Sequence, residues 1–213
     1  MLVIKEILKK MYKIVTISGK AGAGKDTILQ SLLKVLREDS RYPQVHEIVS
    51  CTTRPPREGE VDGKNYYFLT HEEFVEKVSN DRMLEATIFN DWCYGTCIDY
   101  LREDLINIGV YNPAGVDALM DDYEVEVFSI LVEASDKVRL LRQLNRENNP
   151  NVKEIIRRYS ADEEDFDDYT LKDIGFKYIV NNDDGSDLQE IARELAYIIL
   201  NIDWPEDPAD QKS

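Results

Sequence analysis

Positive charge is scarce in this chain of 213 residues: 26 Lys and Arg stand against 42 Asp and Glu, a formal net charge of −16 at pH 7. A nucleic-acid backbone is held by a basic stripe that displaces counterions, so this balance excludes nucleic acid as the main partner. Long apolar runs are missing too. Apolar residues make up 43% of the chain, yet no run approaches the ~20 residues that a membrane span needs. The opening stretch MLVIKEILKKMYKIV has no signal-peptide cleavage pattern, so a cytoplasmic protein with no membrane partner is expected. Cysteine is nearly absent. Cys51, Cys93 and Cys97 are odd in number, and the close pair has no second Cys or His pair to complete a zinc site, so reduced thiols are expected.

The length suits one sizeable core with inserted pieces rather than several independent domains, and no internal repeat is found. Monomer and dimer both remain open. Arginine is unevenly spread, gathering in TTRPPR and again between Arg139 and Arg158. Two local positive regions on an acidic body suit small anions better than a polymer.

YKIVTIS is a β-branched run that ends at a glycine-rich loop, and KDTILQSLLKVLRED then repeats apolar residues at helical spacing. From about Val45 the texture changes to short β-prone pieces, NYYFL and MLEATIF, with Pro and Gly between them and one helix opened by the capping box THEE. IDYLREDLINI predicts a helix leading to GVYN, and VEVFSILVEA a buried strand. Residues 136–168 are charged and helical, broken by the turn ENNPN, which suits a lid. YIVNN offers a last strand, and SDLQEIARELAYIIL a closing helix with a capping box from Ser186 to Gln189. The expected plan is an α/β parallel sheet flanked by helices, with its core at 11–44, 97–135 and 169–202. A small β-rich insert would fill 45–96 and a helical lid 136–168. Residues 1–10 form a short apolar/Lys extension, and the Pro- and Asp-rich tail 203–213 should be disordered.

The loop itself reads SGKAGAGKDT, Ser18 to Thr27. Gly19, four residues, then Gly24 and Lys25 match the phosphate-binding pattern G-x-x-x-x-G-K. Small residues at Ala21, Gly22 and Ala23 let backbone N–H groups curl around a phosphate. The following helix points its positive end at the same place, and Lys25 adds a point charge. Where a serine or threonine hydroxyl is usual for magnesium, this chain has Asp26. Carboxylate oxygen is a good ligand for a hard cation. Asp26 could therefore hold Mg²⁺ directly or through water, or it could face solvent as a first-turn acid while Thr27 reaches the metal.

The stretch SCTTRPPREGEVDGKNYYF, Ser50 to Phe68, together with the loop and the later MLEATIFNDWCYGT, resembles the guanylate kinases. The likeness runs from Ile14 to about Leu200. It implies a P-loop fold of the NTPase type, an insert that binds nucleoside monophosphate, and transfer of a phosphoryl group from ATP to GMP or dGMP with Mg²⁺. Carried over residue by residue, it implies GMP binding by Ser50, Arg54, Arg57, Tyr66, Glu85, Tyr94 and Thr96, with Asn112 beside them. Asn181 falls near the adenine end of ATP. Arg142, Arg146 and Arg158 become catalytic lid arginines, Arg157 being the adjacent candidate for the last. The chemistry agrees: arginine forks grip phosphate selectively, and a carboxylate at Glu85 accepts from both N1–H and the 2-amino group of guanine.

One departure stands out. The family usually carries Asp-x-Asp at the end of the strand before the lid, and this chain has Val110 and Asn112 there. A linked exchange is the expectation, the carboxylate having moved from the strand to the loop at Asp26. Two alternatives follow from the same residues: a kinase for another deoxynucleoside monophosphate, or a related domain that has lost catalysis and serves as a protein-interaction surface.

Overall fold

The structure, a computed structural model, describes residues 12–89, 91–122, 124–146 and 148–204. The expectations for residues 1–10, and for the tail beyond residue 204, lie outside these. Strand β1 (Tyr12–Ser18) sits at the centre of a five-stranded sheet and is joined to helix α1 (Lys25–Glu38) by the glycine loop. Around it run β2 (Val45–Glu47), β7 (Ile106–Val110), β8 (Val125–Glu133) and β9 (Tyr178–Asn181), in the order β2-β7-β1-β8-β9, all parallel. Parallel strands need both faces covered, and β1 is buried continuously from Ile14 through Ser18.

One face is closed by α1 and the last helix, α7 (Leu188–Leu200), whose Leu32, Leu195 and Ile199 pack with Val15, Ile17 and Ile130 of the sheet. The other is closed by α3 (Pro113–Asp121) and α6 (Asp168–Ile174), with Val116, Leu119 and Ile174 against Ile14. The second sheet, in the order β4-β3-β6-β5, holds β3 (Cys51–Thr52), β4 (Tyr67–Phe68), β5 (Met83–Phe89) and β6 (Trp92–Cys97). Helix α2 (His71–Ser79) covers it through buried Phe74. Helices α4 (Asp136–Asn145) and α5 (Val152–Asp165) occupy the lid region. The three cysteines are free thiols. Among the described residues no helix is long and apolar enough to cross a membrane.

Several local expectations change. IDYLREDLINI does not form a helix: only Ile98–Tyr100 makes a short 3₁₀ turn, and the rest is loop and β7. Buried Asn107 is the reason. Its side chain accepts from Arg102 N–H and donates to the carbonyls of Arg102, Leu105 and Lys13, clamping the loop onto β1. Val45–Glu47 pairs with Ile106–Ile108 in the main sheet, so the insert begins after it rather than at residue 45. The closing helix is capped by Asp187, which accepts from Gln189 and Glu190 N–H, in place of Ser186. Trp204, placed at the start of the disordered tail, packs against the main core. The capping box at Thr70 and Glu73 is formed in full.

Candidate active site

The glycine loop lies at the carboxyl ends of β1 and β8, where ligands of open α/β sheets bind. Gly24 opens α1 with φ 95 and Gly22 turns with φ 83, conformations that L side chains rarely adopt. Both are also crowded. A side chain at Gly22 would meet the Arg139 carbonyl, and one at Gly24 would collide with Asn182 Nδ2. Lys25 begins α1, with Asp26 and Thr27 exposed in its first turn. All three line a cavity of ≈ 530 Å³ together with Arg142, Arg146 and Arg158.

Helices α4 and α5 rest directly on this loop. Arg142 Nη1 donates to the carbonyls of Gly22 and Ala23 at 3.4 and 3.3 Å, and Gln143 Nε2 donates to that of Ala21 at 3.3 Å. Arg139, unassigned from sequence, is 2% exposed and reaches Ala21 O, Asp136 and Asp162. Asp162 in turn accepts from Ala21 N–H at 2.7 Å, and Glu163 from Lys20 Nζ at 2.7 Å. Burial pushes the Asp162 carboxyl up, while the Ala21 N–H, Arg139 and Lys25 pull the other way.

Asn181 is exposed and its Oδ1 accepts from Asp183 N–H. Its neighbour Asn182 is the buried one, donating Nδ2–H to Ala23 O at 2.7 Å. Arg157 and Arg158 both donate to Glu154, whose carboxyl they hold down at about 2. Arg157 also lies 5.2 Å from the Phe89 ring centre, joining lid to insert.

On the insert, Arg54 is buried and forms a two-bond pair with Glu60, at 2.9 and 2.8 Å, and its guanidinium stands 5.4 Å from the Tyr66 ring centre. Glu60 also accepts from Arg57 N–H at 2.6 Å. Glu60 was not singled out from sequence; an acid three residues after Arg57 in a stiff Pro-containing turn was the available signal. Tyr66 and Tyr94 meet edge to face with ring centres 6.0 Å apart. Ser50 is half-buried, its carbonyl accepting from Tyr67 N–H.

Glu85 and Thr96 are a cross-strand pair on β5 and β6. Thr96 Oγ1 donates to Glu85 Oε1 at 2.9 Å and touches Tyr111 Oη at 3.1 Å. Burial pushes the Glu85 carboxyl up, and its bonds to Thr96 oppose that. Asn112 caps α3, its Oδ1 accepting from Gly115 N–H, and lines the cleft beside Tyr111. A second cavity, of ≈ 380 Å³, joins Gly19 and Lys25 to Tyr111, Arg158 and Asp162. The loop, the edge of the insert and the lid thus face one cleft.

Among the described residues no group of three or more His, Cys, Asp or Glu could hold a metal ion by itself. Magnesium usually keeps several waters and binds through one or two carboxylates plus substrate phosphates. Asp26, exposed in the first turn of α1 and lining the cavity with Lys25, offers a hard carboxylate oxygen that fits such an ion.

A family model described as guanylate kinase matches residues 11–201. The chain belongs to the guanylate kinase family. It is 30% identical over 184 residues to the guanylate kinase of Caldanaerobacter subterraneus subsp. tengcongensis, covering 83% of this chain and 82% of that one. It is 27% identical over 186 residues to the guanylate kinase of Campylobacter jejuni, covering 85% and 86%. The crystal structure of guanylate kinase from Anaplasma phagocytophilum shares the fold, with a TM-score of 0.55 at 22% identity over 97% of this chain and 89% of that one. The Asp162 contact sets a carboxylate of α5 on an amide of the glycine loop.

Proposed function

We propose that this chain transfers the γ-phosphoryl group of ATP to GMP or dGMP, giving ADP and GDP or dGDP. One observation carries the reading: a single cleft is bounded by Gly19 and Lys25 on one side and by Tyr111, in contact with the Thr96–Glu85 pair, on the other. An ATP phosphate chain on the loop and a guanine at Glu85 would then bring donor and acceptor phosphates together.

Phosphoryl transfer asks for position and charge stabilisation more than for covalent chemistry. The loop N–H groups and the positive end of α1 hold the donor phosphates, and Lys25 stabilises the charge that moves onto their oxygens. Arg54, fixed by Glu60, Arg57, Tyr66 and Tyr94 bind the acceptor phosphate. Glu85 accepts from guanine N1–H and its 2-amino group. Adenine presents a lone pair at N1 and offers that carboxylate no N1–H to accept, which discriminates steeply. Arg142, Arg146 and Arg158 come from the lid, which also excludes water from the closed cleft. Magnesium, when bound at Asp26, supplies further neutralisation of the donor phosphates.

The test is a coupled assay for ADP with ATP, Mg²⁺ and a panel of monophosphate acceptors, run on the wild type and Glu85→Gln. The reading expects turnover with GMP and dGMP, little with AMP, and loss of that preference in Glu85→Gln. Retained GMP binding without turnover would favour an interaction module, and a better acceptor outside the guanine set would favour a different monophosphate kinase.

A further inference from the structure

We propose that Tyr111 is a positioning residue of the acceptor-base site, its phenol holding Thr96 and, through Thr96, the Glu85 carboxylate in the orientation that reads guanine. The proposal rests on the guanine-binding reading of Glu85 given above. Tyr111 lies between Val110 and Asn112, at the strand end where the family's acidic pair is missing, and none of the sequence motifs assigned it a role.

The backbone of Tyr111 is tied to the donor side of the cleft. Its N–H donates to Ile17 O at 3.1 Å, and Ser18 Oγ donates to its carbonyl at 2.9 Å, both at the base of the phosphate loop. Its ring is seated beside two glycines: a Cβ at Gly109 would stand 3.0 Å from Cε2, and one at Gly115 would stand 3.3 Å from Cδ1. Larger residues at either place would push the ring. The side chain is therefore anchored at both ends, one on the core and one at Thr96 of the insert.

The direction of the hydrogen bonds follows from counting protons. Thr96 has one hydroxyl proton and lone pairs to spare, whereas an ionised Glu85 can only accept. With the Thr96 proton on Glu85 Oε1, the contact between Thr96 Oγ1 and Tyr111 Oη is made by the phenol as donor. The relay runs Tyr111 to Thr96 to Glu85. Thr96 is 1% exposed and Tyr111 6% exposed, so both groups lie largely out of solvent. A ring alone would fill the same space. What the hydroxyl adds is a fixed donor for Thr96, which commits Glu85 Oε1 and leaves the carboxylate's remaining acceptor sites for N1–H and the 2-amino group.

The experiment is equilibrium binding of GMP and of inosine monophosphate, which lacks the 2-amino group, to the full chain and its variants. The wild type should prefer GMP. Tyr111→Phe should weaken GMP by roughly ten-fold, the cost of loosening a charged hydrogen-bond partner, and inosine monophosphate by clearly less, so that the ratio shrinks. Thr96→Ser should keep the preference. Thr96→Val should lose it, and adding Tyr111→Phe to Thr96→Val should change the ratio no further. An unchanged ratio in Tyr111→Phe, or equal losses for both nucleotides accompanied by a lower melting temperature, would overturn the proposal and leave Tyr111 a packing residue. A wild type with no preference for GMP would instead bring down the guanine reading on which the proposal stands.

Discussion

Asp162 Oδ2 accepts a hydrogen bond from the Ala21 N–H of the phosphate loop at 2.7 Å, across 141 positions of sequence. A carboxylate thus occupies an amide of the kind that a phosphate oxygen needs. Arg139 holds it there, itself buried among Asp136, Asp162 and Glu163.

Competition follows from that contact. Asp162→Asn keeps the shape and removes the charge, so ATP should gain the loop amide more easily and its KM should fall about three- to ten-fold. Stability should drop at the same time, because buried Arg139 loses part of its compensation. Steady-state kinetics beside thermal unfolding read both. An unchanged or raised KM for ATP would show that the contact merely seats the lid.

Glu85 gives a pH dependence whose sign is fixed. Burial raises its carboxyl above the ordinary value of 4.5, and guanine recognition needs the ionised form as acceptor. KM for GMP should therefore climb as pH falls, starting at a higher pH than an unperturbed glutamate would give, and Glu85→Gln should flatten the profile. Stability runs the other way. A carboxyl with a raised folded pKa favours the fold below the unfolded value and loses that contribution as pH rises through the folded one. Glu85→Gln should thus raise the melting temperature more at pH 7 than at pH 4.

The first strand, the loop and the helix after it were legible because each rests on local chemistry: a β-branched run, small residues with a lysine, then helical spacing from Ile28 to Leu36. The region from Ile98 to Ile108 was misread for the opposite reason. Its spacing suits a helix, but Asn107 spans from Arg102 to Lys13 on another strand, and no local pattern encodes that link. The same limit hid Asp162, Arg139 and Tyr111, whose partners lie far off in sequence. Asn112 was placed by family position, yet a residue just before Pro113 and a helix is also a natural N-cap, and that is the bond it makes.

Lid arginines 157 and 158 can be told apart. Both bind Glu154 and both line the smaller cavity with Lys25, but Arg157 leans on Phe89, whereas Arg158 also lines the larger cavity. Arg158→Ala should lower kcat by about a thousand-fold, the lower range for a phosphoryl-stabilising arginine. Arg157→Ala should cost far less in kcat and act on lid closure, seen as weaker binding of both nucleotides. Equal losses in kcat would assign the role to the pair.

The exchange of acidic residues between strand and loop can be tested by separating stability from turnover. Asn112 caps α3 through Gly115 N–H, so Asn112→Ala should cost about 1 kcal/mol of stability with modest loss of turnover at a temperature where the protein stays folded. Asp26 is exposed on the first turn of α1 and lines the cavity with Lys25. Asp26→Asn should leave the melting temperature within a degree or two, since it breaks no packing, while raising the Mg²⁺ concentration for half-maximal turnover and lowering kcat well below that of Asn112→Ala. If the two variants lose turnover equally, or if Asp26→Asn needs no more Mg²⁺ than the wild type, the carboxylate at Asp26 is an ordinary helix-start acid and the metal's anionic partner lies elsewhere.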